Sequence, residues 1–205
     1  MDTSYAVESS YAKAGTLAGA LLAPLDRLRS LALVVAFSLL TALAAQVALP
    51  LPFTPVPITG QVFAVLLTGA LLGSRLGALA VVAYLFEGAA GLPFFAGGRG
   101  GAVHLIFSPT ARYLWAFPVA AFVTGYLAER GWDRRYLSSA AAMALGSAVV
   151  IAGGFVGLLR FLPPAQAFQQ GVVPFLFGDV IKIAAAAAVL PAGWALLRRA
   201  GAPRR

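Results

Sequence analysis

No cysteine occurs in the 205 residues, and histidine occurs once, at His104. A disulfide framework, a thiolate metal site and a histidine-rich metal site are thereby excluded. Acidic residues are scarce, seven in all, and charged residues of both signs make up 11% of the chain. A soluble globular domain carries about 25%, because it needs them to cover its surface. That polar coat is missing here. Also missing are a GxSxG nucleophile turn, an HExxH zinc motif, a phosphate-binding GxxxxGK[ST] loop and any carboxylate cluster able to hold a metal. No nucleophile–base pair or metal centre marks the chain as an enzyme, no cofactor is expected, and the chain has no means of hydrolysing ATP itself.

What the sequence does have is apolar length. Hydrophobic residues make up 60% of it, and the mean hydropathy is +0.87. The solvent that fits is a bilayer, and the chain has room for about six spans of about 20 residues each with short loops. A net charge of +8 suggests nucleic acid until its placement is considered. The basic residues sit in short clusters between long uncharged runs, which is the pattern of membrane loops, so no nucleic-acid partner is expected.

Between Arg29 and Arg75 no residue is charged, and Pro50, Pro52, Pro55 and Pro57 divide that stretch in two. The spacing predicts a first helix over 31–49 and a shorter second one over about 59–72. A third runs over 75–90, a fourth over 113–128, a fifth over 137–159 and a sixth over 174–197. The segment from Gly91 to Thr110, GLPFFAGGRGGAVHLIFSPT, is too broken for a plain span. It reads as a mobile loop or as a re-entrant element packed on protein, since irregular backbone facing lipid leaves amides unsatisfied. The expected architecture is an all-α integral membrane protein of six transmembrane helices around a cavity that this segment caps. Residues 1–30 form an N-terminal tail, with an interfacial helix from Thr16 onward, and 198–205 form a basic C-terminal tail.

Six spans put both termini on one side of the membrane. That side carries Lys13, Arg27, Arg29, Arg75, Arg130, Arg134, Arg135, Arg198, Arg199, Arg204 and Arg205, against Arg99, Arg112 and Arg160 on the other. Basic residues mark the cytoplasmic side in short loops, so both termini are placed in the cytoplasm and the glycine-rich segment outside the cell membrane.

An ionisable group inside a bilayer is costly and so is a functional candidate by default. Glu87, Asp179 and Lys182 are the three. Asp179 and Lys182, three apart on one helix face, read either as an internal ion pair or as a polar pocket wall. Glu87, at the outer end of the third helix, is a ligand contact or an interface residue. Arg99, among four glycines, is a clamp for a carboxylate or a solvated loop residue, and His104 is most simply a loop residue. Tyr84, Tyr113, Trp115, Phe94 and Phe95 line an apolar cavity or anchor span ends. Small residues four apart, Ala32 and Ala36, Gly69 and Gly73, and Gly153 and Gly157, let helices approach closely within the bundle or with a partner, a second copy of the chain included.

The stretch PFTPVPITGQVFAVLLTGALLGSRLGALAVVAYLFEGAAGLPFFAGGRGG, from Pro52 to Gly101, resembles the BioY family of biotin-specific substrate-binding (S) components of energy-coupling factor (ECF) transporters. The likeness continues through Ser108-Pro109-Thr110, Trp115-Ala116-Phe117-Pro118, Glu129-Arg130-Gly131-Trp132-Asp133-Arg134, and Pro174 to Lys182, and covers roughly residues 31–197. It implies a six-helix subunit that captures biotin from outside, with Asp179 and Lys182 of the G-D-x-x-K pattern in the site. It further implies that Ala32 and Ala36 meet a transmembrane coupling (T) protein, and that ATP is used by partner ATPase subunits. The chain departs from the family's G-P-T-G-G-Y at Ser108-Pro109-Thr110-Ala111-Arg112-Tyr113, where alanine and arginine stiffen the turn and add a charge. On this reading Asp179 accepts from the ureido N–H groups, Lys182 holds Asp179 ionised, and Arg99 or Arg112 meets the carboxylate, with Glu87, Tyr84 and Tyr113 in the surrounding wall. Two other readings stay open: a solitary ion-coupled vitamin carrier using Glu87 or Asp179, and an assembly subunit that binds no ligand.

Overall fold

The structure, a computed structural model, describes residues 15–22 and 25–201. The expected tail residues 1–14 with Lys13, and Arg204 and Arg205, lie outside the described residues. Helices follow in the order α1 (Leu17–Leu22), α2 (Arg27–Gln46), α3 (Gln61–Leu72), α4 (Ser74–Ala89), α5 (Ala102–Phe107), α6 (Ala111–Glu129), α7 (Tyr136–Leu158), α8 (Pro164–Gly171) and α9 (Val173–Gly201). The two-residue strands β1 (Ala48–Leu49) and β2 (Ile58–Thr59) pair antiparallel between α2 and α3, with Ala48 opposite Thr59. By length and composition, three helical stretches among the described residues are long and apolar enough to cross a membrane: Arg27–Gln46, Tyr136–Leu158 and Pro164–Ala200.

Local chemistry sets the boundaries. Asp26 caps α2 by accepting from the Arg29 N–H at 2.8 Å. Gly73, at φ 89°, ends α3 and starts α4, where a side chain in that conformation is strained. Across that turn the Glu129 carboxylate accepts from the Ser74 N–H at 2.7 Å and the Ser74 hydroxyl at 2.9 Å, which caps α4 from the end of α6. Pro164 opens α8, the one described helix between α7 and α9 that carries no long apolar run. The expected helix after Thr16 exists as α1, but Leu17 and Ala18 are buried, and Leu17 seats against Gly193 of α9, so it packs on the bundle rather than lying free at an interface.

α6 is the central element, packed against α3, α4 and α7. Between apolar helices in lipid no hydrophobic force drives association, so close backbone approach and dispersion must supply it. Glycine makes the approach here. A Cβ on Gly69 would collide with the Ala121 carbonyl and the Thr124 hydroxyl, and one on Gly125 with the Gly73–Ser74 backbone. Gly77 of α4 likewise faces the Gly69 backbone. Leu66, Ala120, Ala121, Met143 and Leu190 fill the core between them. The outward faces of α2 and α9 carry exposed Leu31, Val35, Leu39, Leu43, Phe177, Val180 and Ile181, an apolar surface that suits lipid and not water.

Gly69→Val puts a Cβ and its two methyl groups where the α6 backbone lies. We expect it to cost at least about 1–3 kcal/mol of bundle stability, read as a lowered thermal unfolding midpoint in detergent. An unchanged midpoint contradicts this packing.

Candidate functional site

A cavity of about 450 Å³ opens at the end of the bundle where α2 leaves, α3, α6 and α9 begin, and α4 and α7 finish. Four segments wall it: the proline-rich stretch from Pro50 to Pro57, the glycine-rich stretch from Phe95 to Arg99, the start of α6, and α9. Its floor is apolar, with Val62, Leu114, Phe117, Val150, Ile151 and Phe175.

The first polar group is on α9. Asp179 is 4% exposed, yet its carboxylate has partners on both oxygens: the Ser147 hydroxyl of α7 donates to Oδ2, and Lys182 Nζ stands 3.4 Å from Oδ1. An ionised carboxylate accepts about four hydrogen bonds, so two sites remain for a ligand. Asp179 and Lys182 both line the cavity, as the three-residue spacing on one helix face requires.

A relay of neutral polar groups lines the cavity as well. The Thr59 hydroxyl donates to Gln61 Oε1 at 2.9 Å, Gln61 Nε2 donates to the Tyr84 hydroxyl at 2.5 Å, and Tyr84 donates to the Phe94 carbonyl at 3.3 Å. Thr59 and Gln61 line the cavity, whereas Tyr84 is fully buried one layer behind it. Its place is therefore support of the wall. Glu87, one turn on along α4, is not brought to the cavity; its Oε2 is buried without a hydrogen-bond partner.

The glycine-rich segment folds back on protein rather than hanging loose. Phe95 and Arg99 exchange backbone hydrogen bonds at 2.8 and 3.2 Å, and the turn between them needs Gly97 and Gly98 at φ 71° and 70°. Phe95 is fully buried, edge-on to Tyr84 and stacked on His104, in space that a side chain at Gly88 would occupy. Gln46, at the end of α2, donates to the Pro93 carbonyl and accepts from the Gly98 N–H, which pins the segment from the other side. Arg99 is thereby held at the cavity wall, with its side chain free of any carboxylate among the described residues.

Tyr113 lines the cavity with its ring, while its hydroxyl donates to the Gly171 carbonyl at 2.6 Å and ties α6 to the end of α8. The proline-rich wall is tied to the same place, since the Thr54 hydroxyl donates to the Gln170 carbonyl at 2.8 Å.

Two expectations change. His104 is not a loop residue: it sits in α5, lines the cavity and meets Thr110 Oγ1 at 3.2 Å through Nε2. Arg112 does not reach the cavity; it starts α6 and runs outward over Gly157. The departure at Ala111 and Arg112 is accommodated because both residues are helical, with Ala111 buried. Ala32 and Ala36 are exposed on α2, while Gly69 and Gly153 are used inside the bundle, against α6.

Burial, and then the charge of Arg99, hold the His104 pKa below its ordinary 6.5. A histidine whose folded pKa is depressed contributes stability in its neutral form, present above about pH 6.5 and lost as the pH falls below it. The unfolding midpoint of the wild type is therefore expected to drop between pH 7 and pH 5, and His104→Gln to flatten that drop. Equal pH slopes in the two proteins contradict the assignment.

The sequence pattern of the BioY family matches residues 13–199. A probable biotin transporter BioY of Pyrococcus horikoshii is 40% identical over 158 residues, covering 77% of this chain and 91% of that protein. A biotin transporter BioY of Thermotoga maritima is also 40% identical over 158 residues, 75% of this chain and 88% of that protein. Among solved structures, the S-component for biotin from an ECF-type ABC transporter superposes with a TM-score of 0.73 at 24% identity, over 85% of this chain and 91% of that one, and shares its fold.

Proposed function

The chain belongs to the BioY family, and from that membership we propose that it is a biotin-binding S component whose ligand occupies the cavity beside Asp179. The observation that carries this reading is the buried Asp179 carboxylate, with unused acceptor sites beside a cavity whose floor is apolar. The ureido group of biotin brings two N–H donors to such an acceptor, and its ring and valeryl chain suit the apolar floor. A cavity of about 450 Å³ is within the range of about 300–1,000 Å³ for small-molecule sites, which are mostly apolar with a few placed polar groups. Lys182 Nζ, 3.4 Å from Oδ1, pairs with the Asp179 carboxylate. Arg99 is the cation available to the ligand carboxylate, since it lines the same cavity without a carboxylate partner among the described residues. Tyr113 shapes the wall, Tyr84 orients Gln61, and Glu87 takes no direct part.

The protein is a multi-pass membrane protein. In our reading α2, α3, α4, α6, α7 and α9 are its six spans, both termini are cytoplasmic, and the membrane is the cell membrane. Charge placement supports this. The end away from the cavity carries Arg27, Arg29, Arg75, Arg130, Arg134, Arg135, Arg198 and Arg199, and the cavity end Arg99, Arg112 and Arg160. The cavity then faces outward, where ligand is captured. Uptake is proposed to need a separate transmembrane coupling protein and ATPases, because the sequence has no phosphate-binding loop of its own, and Ala32 and Ala36 offer that coupling protein a close-approach stripe on α2.

Equilibrium binding of biotin to the purified chain in detergent, with thiamine and riboflavin as competitors, tests this reading. We expect tight biotin binding that neither vitamin displaces. Asp179→Asn should weaken it about 10- to 100-fold, the worth of a hydrogen bond to a charged group, with the unfolding midpoint retained. Unchanged affinity in the variant would sink the assignment of Asp179.

A further inference from the structure

Outside the cavity, a second hollow of about 150 Å³ lies between the start of α6 and the end of α7 and contains both Arg112 and Arg160. Two arginines lining one small hollow bring like charges to the same place, and an anion seated between them relieves their repulsion. The protein provides none: no acidic side chain lines the hollow, and neither arginine has an ion-pair partner among the described residues. The arrangement is nonetheless built. Gly157 on α7 leaves the space in which the aliphatic stem of Arg112 lies, and a Cβ there would collide with the Arg112 Cβ and Cγ. Arg160 follows three residues later, in the turn held by its N–H to the Gly157 carbonyl at 3.3 Å.

The surroundings decide which anion. Ile106, Phe107 and Phe161 line the same hollow and are 52%, 65% and 50% exposed. Large apolar side chains around paired cations are out of place in a site open to water. They fit the level where α7 leaves the apolar region at Leu158 and α6 enters it at Ala111. At that level arginine stems lie along apolar surface and their heads meet lipid phosphate. We propose that Arg112 and Arg160 form a binding site for the phosphate of an anionic phospholipid in the leaflet on the cavity side, with its acyl chains along Phe107 and Phe161. The proposal rests on the membrane placement given above and is independent of the cavity's ligand. It gives the charge introduced at position 112 a role that faces the bilayer.

The test is native mass spectrometry of the full chain released from mixed phosphatidylglycerol and phosphatidylcholine micelles, without biotin. The wild type is expected to retain phosphatidylglycerol over phosphatidylcholine. Arg160→Gln should lower that retention about fivefold, and Arg112→Gln with Arg160→Gln further, since each surface cation near anionic lipid contributes about one kcal/mol. Arg112→Lys with Arg160→Lys keeps both charges and should keep most of the preference. Equal retention of the two lipids by the wild type, or of phosphatidylglycerol by wild type and the glutamine variants, overturns the site. Displacement of phosphatidylglycerol by 10 mM inorganic phosphate would overturn the lipid assignment in favour of a free-anion site. Biotin binding measured on separate aliquots of the same proteins separates these outcomes from failure of the cavity's own assignment.

Discussion

A carboxylate buried among apolar helices must be compensated where it stands, because neither lipid nor the protein interior solvates it. Much of the cavity end of this bundle is arranged around that requirement at Asp179. Ser147 reaches it from α7 and Lys182 from the next turn of α9, so the two longest helices are registered against each other by a polar contact. Replacing such a pair by apolar residues is often neutral for stability, which makes stability a weak reason for its presence. The contact leaves acceptor capacity directed into a cavity whose floor is otherwise apolar, and that is the reason to see a binding site in it.

A second constraint follows from the same solvent. Backbone that is not helical cannot face lipid with its amides unpaired, and the described residues include a proline-rich and a glycine-rich segment of this kind at the cavity end. Both fold over the cavity end and are held by side-chain hydrogen bonds to carbonyls or amides: Thr54 to Gln170, Gln46 to Pro93 and Gly98, and Tyr84 to Phe94. The ties come from α2, α4 and α8, so the walls of the cavity are coupled to the packing of the helices. At the opposite end the polar clamps are different in kind. Glu129 caps α4, and Trp194 Nε1 donates to the buried Asp133 at 2.5 Å, fastening α9 to the α6–α7 turn.

The helices themselves were legible in the sequence because apolar runs bounded by arginine, proline and glycine are long and few. The second run, expected over 59–72, is α3 at 61–72, and the fifth, over 137–159, is α7 at 136–158. α8 was missed, since Pro163 and Pro164 followed by three glutamines in eight residues offer no apolar period; proline at a first turn was the available signal. Asp179 and Lys182 stood out because charge is conspicuous in an apolar run. Gln46, Thr59, Gln61, Thr110 and Ser147 did not, because neutral polar residues are common in spans and only the fold says which of them converge. His104 was misread for the opposite reason: a glycine-rich flank looks like a loop, while Phe95 and Thr110, distant from it in type and in sequence, give it a packed place. Arg112 and Arg99 are alike in composition terms, and only the direction of α6 separates the one that meets the cavity from the one that faces outward.

The central claim is that the cavity beside Asp179 is where biotin sits. The most direct measurement is an experimentally determined structure of the chain loaded with biotin. The account predicts the fused ring against Asp179, with a ureido nitrogen within hydrogen-bond distance of its carboxylate and the valeryl carboxylate toward Arg99. Biotin seated elsewhere, or Asp179 bonded only to Ser147 and Lys182 with the ligand present, would contradict it.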